Sequence, residues 1–176
     1  MLYPRSFSLL SVIFFLAVAP AYADSKTVNG KRHLLAKRAV SIARLPSGGS
    51  YSPKISVILP AYNVVGHGKF ERAVQSILEQ TFIDFELVLV DDGSQDATKT
   101  LINHFAHQDK RIVGVFLKEN GGLPNALNAG LNRSTAELIT WTSSDNYLEA
   151  NFLEYFYKAT LEYPESNFFF FRLESG

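Results

Sequence analysis

The sequence predicts an α/β fold in which a mostly parallel sheet carries helices on both faces. Two observations lead to this prediction. Short apolar runs alternate along the chain with stretches in which apolar residues recur at helical spacing. Strands that alternate with helices are joined by right-handed crossovers and therefore form parallel sheets. The apolar runs are also continuous rather than alternating with polar residues, as expected for strands that are buried on both faces.

Four apolar runs mark the predicted strands, in the order residues 55–59, 85–90, 112–117 and 138–141. After each run, apolar residues recur at intervals that predict a helix. These residues are Phe70, Val74, Ile77 and Leu78 in the first helix, Leu101, Ile102 and Phe105 in the second, Leu123, Leu127 and Leu131 in the third, and Phe152, Leu153, Phe156 and Tyr157 in the fourth. Pro60 is expected to end the first strand, and residues 168–171 are predicted to open a fifth.

The composition is that of one globular domain. The chain has 176 residues, of which 47% are hydrophobic and 19% are charged, so it is not intrinsically disordered as a whole. Lys and Arg number 17, and so do Asp and Glu, which excludes a nucleic-acid binder that works by bulk positive charge. No nucleic-acid partner is therefore expected. The absence of cysteine excludes disulfide scaffolds, zinc fingers and thiol catalysis.

Residues 1–23 are predicted to be an export signal. Arg5 supplies the positive charge that precedes an apolar run at residues 9–19, and Ala21-Tyr22-Ala23 fits the pattern of small residues at a cleavage site. The apolar run is shorter than the roughly 20 residues that a membrane-spanning helix needs. The sequence therefore predicts an exported protein.

Residues 24–53 are predicted to be a basic, flexible linker that leads to a folded domain at residues 54–176. The linker holds six basic residues against Asp24, and its last part is rich in Pro, Gly and Ser. Positive flanks favour the cytoplasmic side of a membrane. The alternative to export is therefore an uncleaved membrane anchor at the N-terminus, with the domain facing the cytoplasm.

Polar clusters follow each of the four predicted strands. They are Ala61-Tyr62-Asn63, Asp91-Asp92, Asn120-Gly121-Gly122 and Ser143-Ser144-Asp145-Asn146. The carboxyl ends of parallel strands meet at one edge of the sheet, where open α/β folds bind their ligands. The sequence therefore predicts one site that is built from four loops.

Three of these clusters have a chemical interpretation and a simpler structural one. Asp145, with no Lys or Arg near it in sequence, suits Mg²⁺ or Mn²⁺ bound together with a nucleoside diphosphate, or it caps the following helix. Asp91 and Asp92 suit hydrogen bonds to a base or a ribose, or they belong to an Asp-Gly-Ser turn. The glycines after Asn120 allow close approach of a ligand to the backbone, or they form a plain turn.

Five ordered motifs resemble those of family 2 glycosyltransferases, which have the GT-A fold. ISVILPAYN at residues 55–63 resembles the opening of that family, and AVQSILEQTF at 73–82 continues it. FELVLVDDGSQDAT at 85–98 is the most specific stretch, followed by NGGLPNALNAG at 120–130 and WTSSDN at 141–146. The resemblance covers residues 54 to about 173, so the domain is identified as the N-terminal, nucleotide-sugar-binding part of such an enzyme.

The resemblance implies an inverting transfer of a sugar from a nucleoside-diphosphate donor to a glycan, lipid or protein acceptor. A UDP-sugar is the favoured donor. The residues that would bind the nucleotide-sugar are Pro60, Ala61, Tyr62, Asn63, Asp91, Asp92, Asn120 and Ser144. The metal-binding motif of the family maps onto Ser143-Ser144-Asp145, so Asp145 would bind Mg²⁺ or Mn²⁺.

Two departures from the family pattern affect this expectation. The leading Asp of the metal motif is Ser143, so Asp145 is the motif's one charged ligand. The catalytic base that deprotonates the acceptor is expected beyond Gly176, which suggests a truncated domain. The alternatives to an active glycosyltransferase are a catalytically dead nucleotide-sugar-binding fragment and a gene relic without a stable function.

Overall fold

The computed structural model describes residues 52–66 and 68–166, together with the backbone of two short strands nearer the N-terminus. The strands are β1 (Leu16–Ala17), β2 (Ser41–Ala43), β3 (Ile55–Ala61), β4 (Phe85–Asp91), β5 (Ile112–Phe116) and β6 (Leu138–Trp141). The helices are α1 (Lys69–Leu78), α2 (Thr98–Gln108), α3 (Leu123–Arg133) and α4 (Phe152–Glu162). Strands and helices alternate from β3 to α4, as the sequence predicts.

The strands form one sheet in the order β1-β6-β3-β4-β5-β2. The four inner strands are parallel, and the two short outer strands pair with them antiparallel. The chain moves outward from β3 through β4 to β5 and then returns to place β6 on the other side of β3. Strand order therefore reverses beside β3, and open α/β sheets bind ligands at such a reversal. The mostly parallel sheet is confirmed.

Helices cover both faces of the sheet, because successive side chains of a strand point to opposite faces. On one face, Val57 and Leu59 of β3 belong to a core that they share with α1, α2 and α4. On the other face, Ile58 belongs to a core that it shares with Ala126 of α3. Every inner strand is thus enclosed by side chains on both sides, which explains its continuous apolar sequence.

Helix α3 contacts the sheet most closely through small residues, while Leu127 and Leu131 are partly buried against the same core. Ala126 and Gly130 are buried, whereas Leu123 is 48% exposed. A Cβ atom on Gly130 would lie 2.4 Å from Cγ2 of Ile58, so the helix approaches β3 more closely than a larger residue would allow. Helical spacing located this helix correctly, but it did not reveal that the small residues form the contact.

Strand β3 continues through Pro60 to Ala61, so the prediction that it ends at Pro60 is wrong by one residue. Pro60 pairs with Val90 of β4 on one side. On the other side, β6 reaches only as far as Ile58, which pairs with Trp141. Pro60 therefore lies beyond the paired part of that ladder, where a missing N–H group is tolerated.

A buried polar network at the opposite end of the sheet holds the start of β6. The hydroxyl of Ser56 donates to Oε1 of Glu86 at 2.7 Å, and the hydroxyl of Thr135 donates to the same oxygen at 2.9 Å. The backbone N–H of Ala136 donates to Oγ of Ser56 at 3.1 Å. These contacts join the segment before β6 to β3 and β4, and so fix the strand that leads into the last polar cluster.

The N-terminal predictions lie mostly outside the described residues. Of the predicted export signal at residues 1–23, the structure describes the backbone of β1, and of the predicted linker at 24–53 it describes β2 and residues 52–53. Strand β2 pairs with the otherwise open edge of β5. The predicted strand at residues 168–171 also lies outside. Within the described part of the chain, no helix is long and apolar enough to cross a bilayer.

Candidate functional site

The four polar clusters lie in four loops at the carboxyl edge of the sheet. Loop one is residues 62–65, loop two 92–97, loop three 117–122 and loop four 142–151. The last residues of β3, β4 and β5 are in register, because Ala61 pairs with Asp91 and Asp91 pairs with Phe116. Strand β6 ends short of this edge, at the pairing of Trp141 with Ile58. Its continuation runs beside β3, where the N–H of Thr142 donates to the carbonyl of Ile58 at 3.1 Å.

Asn63 joins loop one to loop two. Its backbone N–H donates to Oγ of Ser94 at 2.9 Å, and its side-chain Oδ1 accepts the N–H of Gln95 at 2.8 Å. The φ angle of Asn63 is 50°, in the left-handed region that Asn tolerates better than most residues. The two loops therefore bond to each other in both directions at this residue.

A second set of contacts continues this junction. Oδ2 of Asp96 accepts the N–H of Val65 at 3.1 Å, and Oγ1 of Thr98 accepts the N–H of Val64 at 3.0 Å. Burial opposes the charge of Asp96, but the hydrogen bonds from the side chain and backbone of Thr98 and from Val65 outweigh it. The pKa of Asp96 therefore lies below its ordinary value.

Ser94, Gln95, Asp96 and Thr98 were not predicted as site residues, although one signal in the sequence could have found them. Short polar side chains that precede a helix commonly bond to neighbouring backbone N–H groups. Here several of those partners lie in another loop, which the sequence does not show.

Asp91 and Asp92 are both buried, with exposures of 3% and 4%. Oδ1 of Asp91 accepts the N–H of Ser94 at 3.0 Å. Oδ1 of Asp92 accepts the N–H of Gly121 at 3.0 Å, which joins loop two to loop three. Asp91 thus uses one oxygen within its own turn, Asp92 uses one to bond the neighbouring loop, and each retains a second oxygen. The structural and the chemical interpretations of this pair are therefore compatible.

Loops two and three are in close backbone contact at Gly93. This residue has a φ of +71°, and a Cβ atom on it would lie 2.4 Å from the carbonyl carbon of Glu119. Oδ1 of Asn120 accepts the N–H of Gly122 at 3.1 Å, which shapes the turn before α3. Loops one, two and three, together with Asp91 at the end of β4, therefore form one bonded unit, which we call the platform.

Loop four is attached to the protein differently. Asp145 is exposed, Ser144 is half-buried, and Oγ of Ser143 donates to Oδ1 of Asp145 at 2.7 Å. Further along, the N–H of Leu148 donates to Oγ of Ser76 at 3.0 Å, so α1 anchors the loop. The structure therefore places every predicted site residue at one edge, with Asp145 and Ser144 in a loop outside the platform.

Asp145 in loop four fits a metal ion that a ligand helps to bind. Among the described residues, no group of three His, Cys, Asp or Glu side chains could hold a metal by itself. Mg²⁺ commonly binds through one or two carboxylates and takes its other ligands from water and substrate phosphates. Asp145 meets that requirement, because it is exposed and Ser143 occupies one of its two oxygens.

Comparison with known proteins identifies the family. The sequence model described as glycosyl transferase family 2 matches residues 56–175. The chain belongs to this family. Glycosyltransferase GlyA of Streptococcus pneumoniae is 38% identical over 110 residues, which cover 62% of this chain and 15% of that protein. Glycosyltransferase GlyG of the same organism is 36% identical over 112 residues, or 63% of this chain and 36% of GlyG. The chain thus spans well under half the length of these relatives.

Solved structures of glycosyltransferases share the fold. S. aureus TarS 1–349 in complex with UDP-GlcNAc is 27% identical, with a TM-score of 0.58, over 63% of this chain and 32% of TarS. The mannosyltransferase PcManGT of Pyrobaculum calidifontis, in complex with GDP-Man and Mn²⁺, is 30% identical, with a TM-score of 0.51, over 57% of this chain and 30% of PcManGT. The predicted family and the predicted GT-A fold are both confirmed.

Proposed function

We propose that this chain binds a nucleoside-diphosphate sugar, with a UDP-sugar favoured, for an inverting transfer to a glycan, lipid or protein acceptor. One observation carries the proposal: two buried carboxylates in a bonded platform lie at the same sheet edge as the exposed carboxylate of Asp145. The buried carboxylates suit a neutral base or ribose, and the exposed carboxylate suits a charged diphosphate with its cation. The nucleotide-sugars bound to TarS and PcManGT support the same assignment.

In this proposal the platform binds the nucleoside. The second oxygens of Asp91 and Asp92 accept hydrogen bonds from N–H or O–H groups of the base and the ribose. Tyr62, which is 46% exposed, offers a ring against which a planar base can pack. Pro60 and Ala61 precede Tyr62 at the end of β3.

Loop four binds the diphosphate side of the donor. Asp145 would hold Mg²⁺ or Mn²⁺, with the Ser143 hydroxyl orienting the carboxylate and Ser144 beside it. When bound, such an ion neutralises charge on the departing diphosphate. Asp145 is not itself the base, because a carboxylate that binds a cation is a poor proton acceptor.

The transfer step needs groups from outside the platform. The acceptor hydroxyl attacks the anomeric carbon, the bond from that carbon to the phosphate oxygen breaks, and the diphosphate leaves with the electron pair. The hydroxyl proton passes to a general base, which none of the residues assigned to the donor supplies. The second candidate is a nucleotide-sugar-binding fragment without transfer activity. This candidate is favoured because every residue that was assigned a role above is assigned to binding of the donor.

Calorimetric titration with UDP and with GDP, in Mn²⁺ and in EDTA, tests the proposal. We expect binding that Mn²⁺ strengthens, and about tenfold or greater loss of that strengthening in Asp145→Ala, since a charged ligand is removed. Asp84→Ala is the matched control, because Asp84 is an exposed aspartate at the opposite edge of the sheet.

Two outcomes of that titration and one outcome of a separate transfer assay are informative. Equal affinity of Asp145→Ala and the wild-type chain in Mn²⁺ would show that the metal assignment is wrong. Failure of the wild-type chain to bind either nucleotide would overturn the proposed function. Binding without transfer of a radiolabelled sugar to a panel of glycan and lipid acceptors would favour the binding fragment.

A further inference from the structure

We infer that Asn63 is a positioning residue, which holds loop two and hence Asp91 in place through Ser94 and Gln95 instead of binding the nucleotide with its side-chain carbonyl. The inference rests on the proposed function, because it concerns the same nucleoside site. It differs from the sequence-based assignment, which grouped Asn63 with the residues that touch the nucleotide.

The side-chain carbonyl of Asn63 already has a protein partner. Oδ1 accepts the N–H of Gln95 at 2.8 Å, while the backbone N–H of Asn63 donates to Oγ of Ser94 at 2.9 Å. One residue of loop one thus bonds to two consecutive residues of loop two. A ligand that bonded to this carbonyl would have to compete with Gln95.

Ser94 connects Asn63 to Asp91. Its hydroxyl accepts from Asn63, and its backbone N–H donates to Oδ1 of Asp91 at 3.0 Å. Asn63, Ser94 and Asp91 therefore form a continuous chain of hydrogen bonds. Since Asp91 is buried and Asn63 is exposed, the chain runs from the surface of loop one to the buried acid.

The backbone of Asn63 explains why this residue type suits the position. A φ of 50° is disfavoured for most residues, and Gly or Asn accommodates it at least cost. Gly would allow the turn but would lack the acceptor for Gln95. Asn meets both requirements, so the two properties can be separated by substitution.

The contribution of this contact should appear in affinity more than in stability. Asn63 and Gln95 are exposed, so water competes for their hydrogen bond in the free protein. A nucleotide that binds Asp91 and Asp92 needs loop two in its bonded position, so disorder in the loop lowers the apparent affinity.

The first test compares variants that separate these properties. Asn63→Gly keeps the left-handed backbone and removes Oδ1, whereas Ser94→Ala removes the hydroxyl and Ser94→Thr keeps one. For UDP with Mn²⁺, we expect Asn63→Gly and Ser94→Ala each to weaken binding by about three- to tenfold, with Ser94→Thr close to the wild type. The double variant Asn63→Gly/Ser94→Ala should lose less than the product of the single losses, because both act on one loop.

The second test needs no ligand. Amide hydrogen exchange measured by NMR should show faster exchange of the Gln95 N–H in Asn63→Gly and of the Asn63 N–H in Ser94→Ala, each by several-fold. Weaker UDP binding in Asn63→Gly with unchanged exchange of Gln95 would show direct contact with the nucleotide and overturn the inference. Unchanged exchange with unchanged affinity would overturn it as well. If the wild type does not bind UDP or GDP, the proposed function fails, and the exchange rates still decide whether the contact exists.

Discussion

In the platform, Asp91 and Asp92 are buried and each accepts a backbone N–H from another residue of the site. In loop four, Asp145 is exposed and accepts the hydroxyl of its neighbour Ser143. The platform thus has its geometry before a ligand arrives, since its loops bond to one another. Loop four presents a charge that a cation and phosphates would complete. Under the proposed function, this difference corresponds to a preorganised nucleoside site beside a diphosphate site that a cation would complete.

The largest expected effect is on the contact between loops two and three. Gly93→Ala should lower the free energy of unfolding by about 2–5 kcal/mol, because the new Cβ would lie 2.4 Å from backbone and φ is +71°. Gly68→Ala is the control, since its φ of +64° is similar and nothing lies within 4 Å of a Cβ there. It should cost about 1 kcal/mol. Equal losses in urea denaturation would show that loops two and three are not in contact.

A smaller effect separates the acids of the two regions. Asp92→Ala should cost about 1–3 kcal/mol, because it leaves the N–H of Gly121 without its acceptor inside the platform. Asp145→Ala should cost less than about 0.5 kcal/mol, since Asp145 is exposed. Urea denaturation of both variants measures the difference. Similar costs would mean that loop four is as preorganised as the platform.

The smallest effect concerns two buried threonines. Oγ1 of Thr142, at the start of loop four, has no hydrogen-bond partner among the described residues. Oγ1 of Thr98 accepts the N–H of Val64 in the platform. Thr142→Val should therefore be neutral or stabilise the fold by up to about 1 kcal/mol, and Thr98→Val should destabilise it by about 1–2 kcal/mol. Thermal unfolding of the two variants measures this contrast. Destabilisation by Thr142→Val would show that its hydroxyl has a partner.

The sequence predicted that the polar clusters meet at one edge of the sheet, because its signals are local. Apolar runs that end in polar clusters identify strand ends, and the parallel topology brings those ends to one edge. The assignment of Asn63 to nucleotide contact came from the resemblance to family 2 glycosyltransferases, which also rests on residues that are consecutive in sequence. It could not reveal the bond to Gln95, because that partner lies 32 residues away in another loop.

Packing details were less accessible for the same reason. The leucine spacing of α3 predicted a helix, but the contact through Gly130 depends on how closely α3 approaches Ile58. The position of Pro60 within β3 likewise depends on where β6 stops. Both facts concern distances between segments that are remote in sequence, and neither has a local signal.

By itself, the sequence determined the alternation of strands and helices, the carboxyl edge that holds the site, and the family to which the chain belongs. These follow from hydrophobic period and motif order, which are properties of single segments. Only the tertiary structure decided that Asp91 and Asp92 are buried and bonded while Asp145 is exposed. Burial and hydrogen bonding depend on which segments meet in space, so identical residue types acquire different roles at neighbouring strand ends.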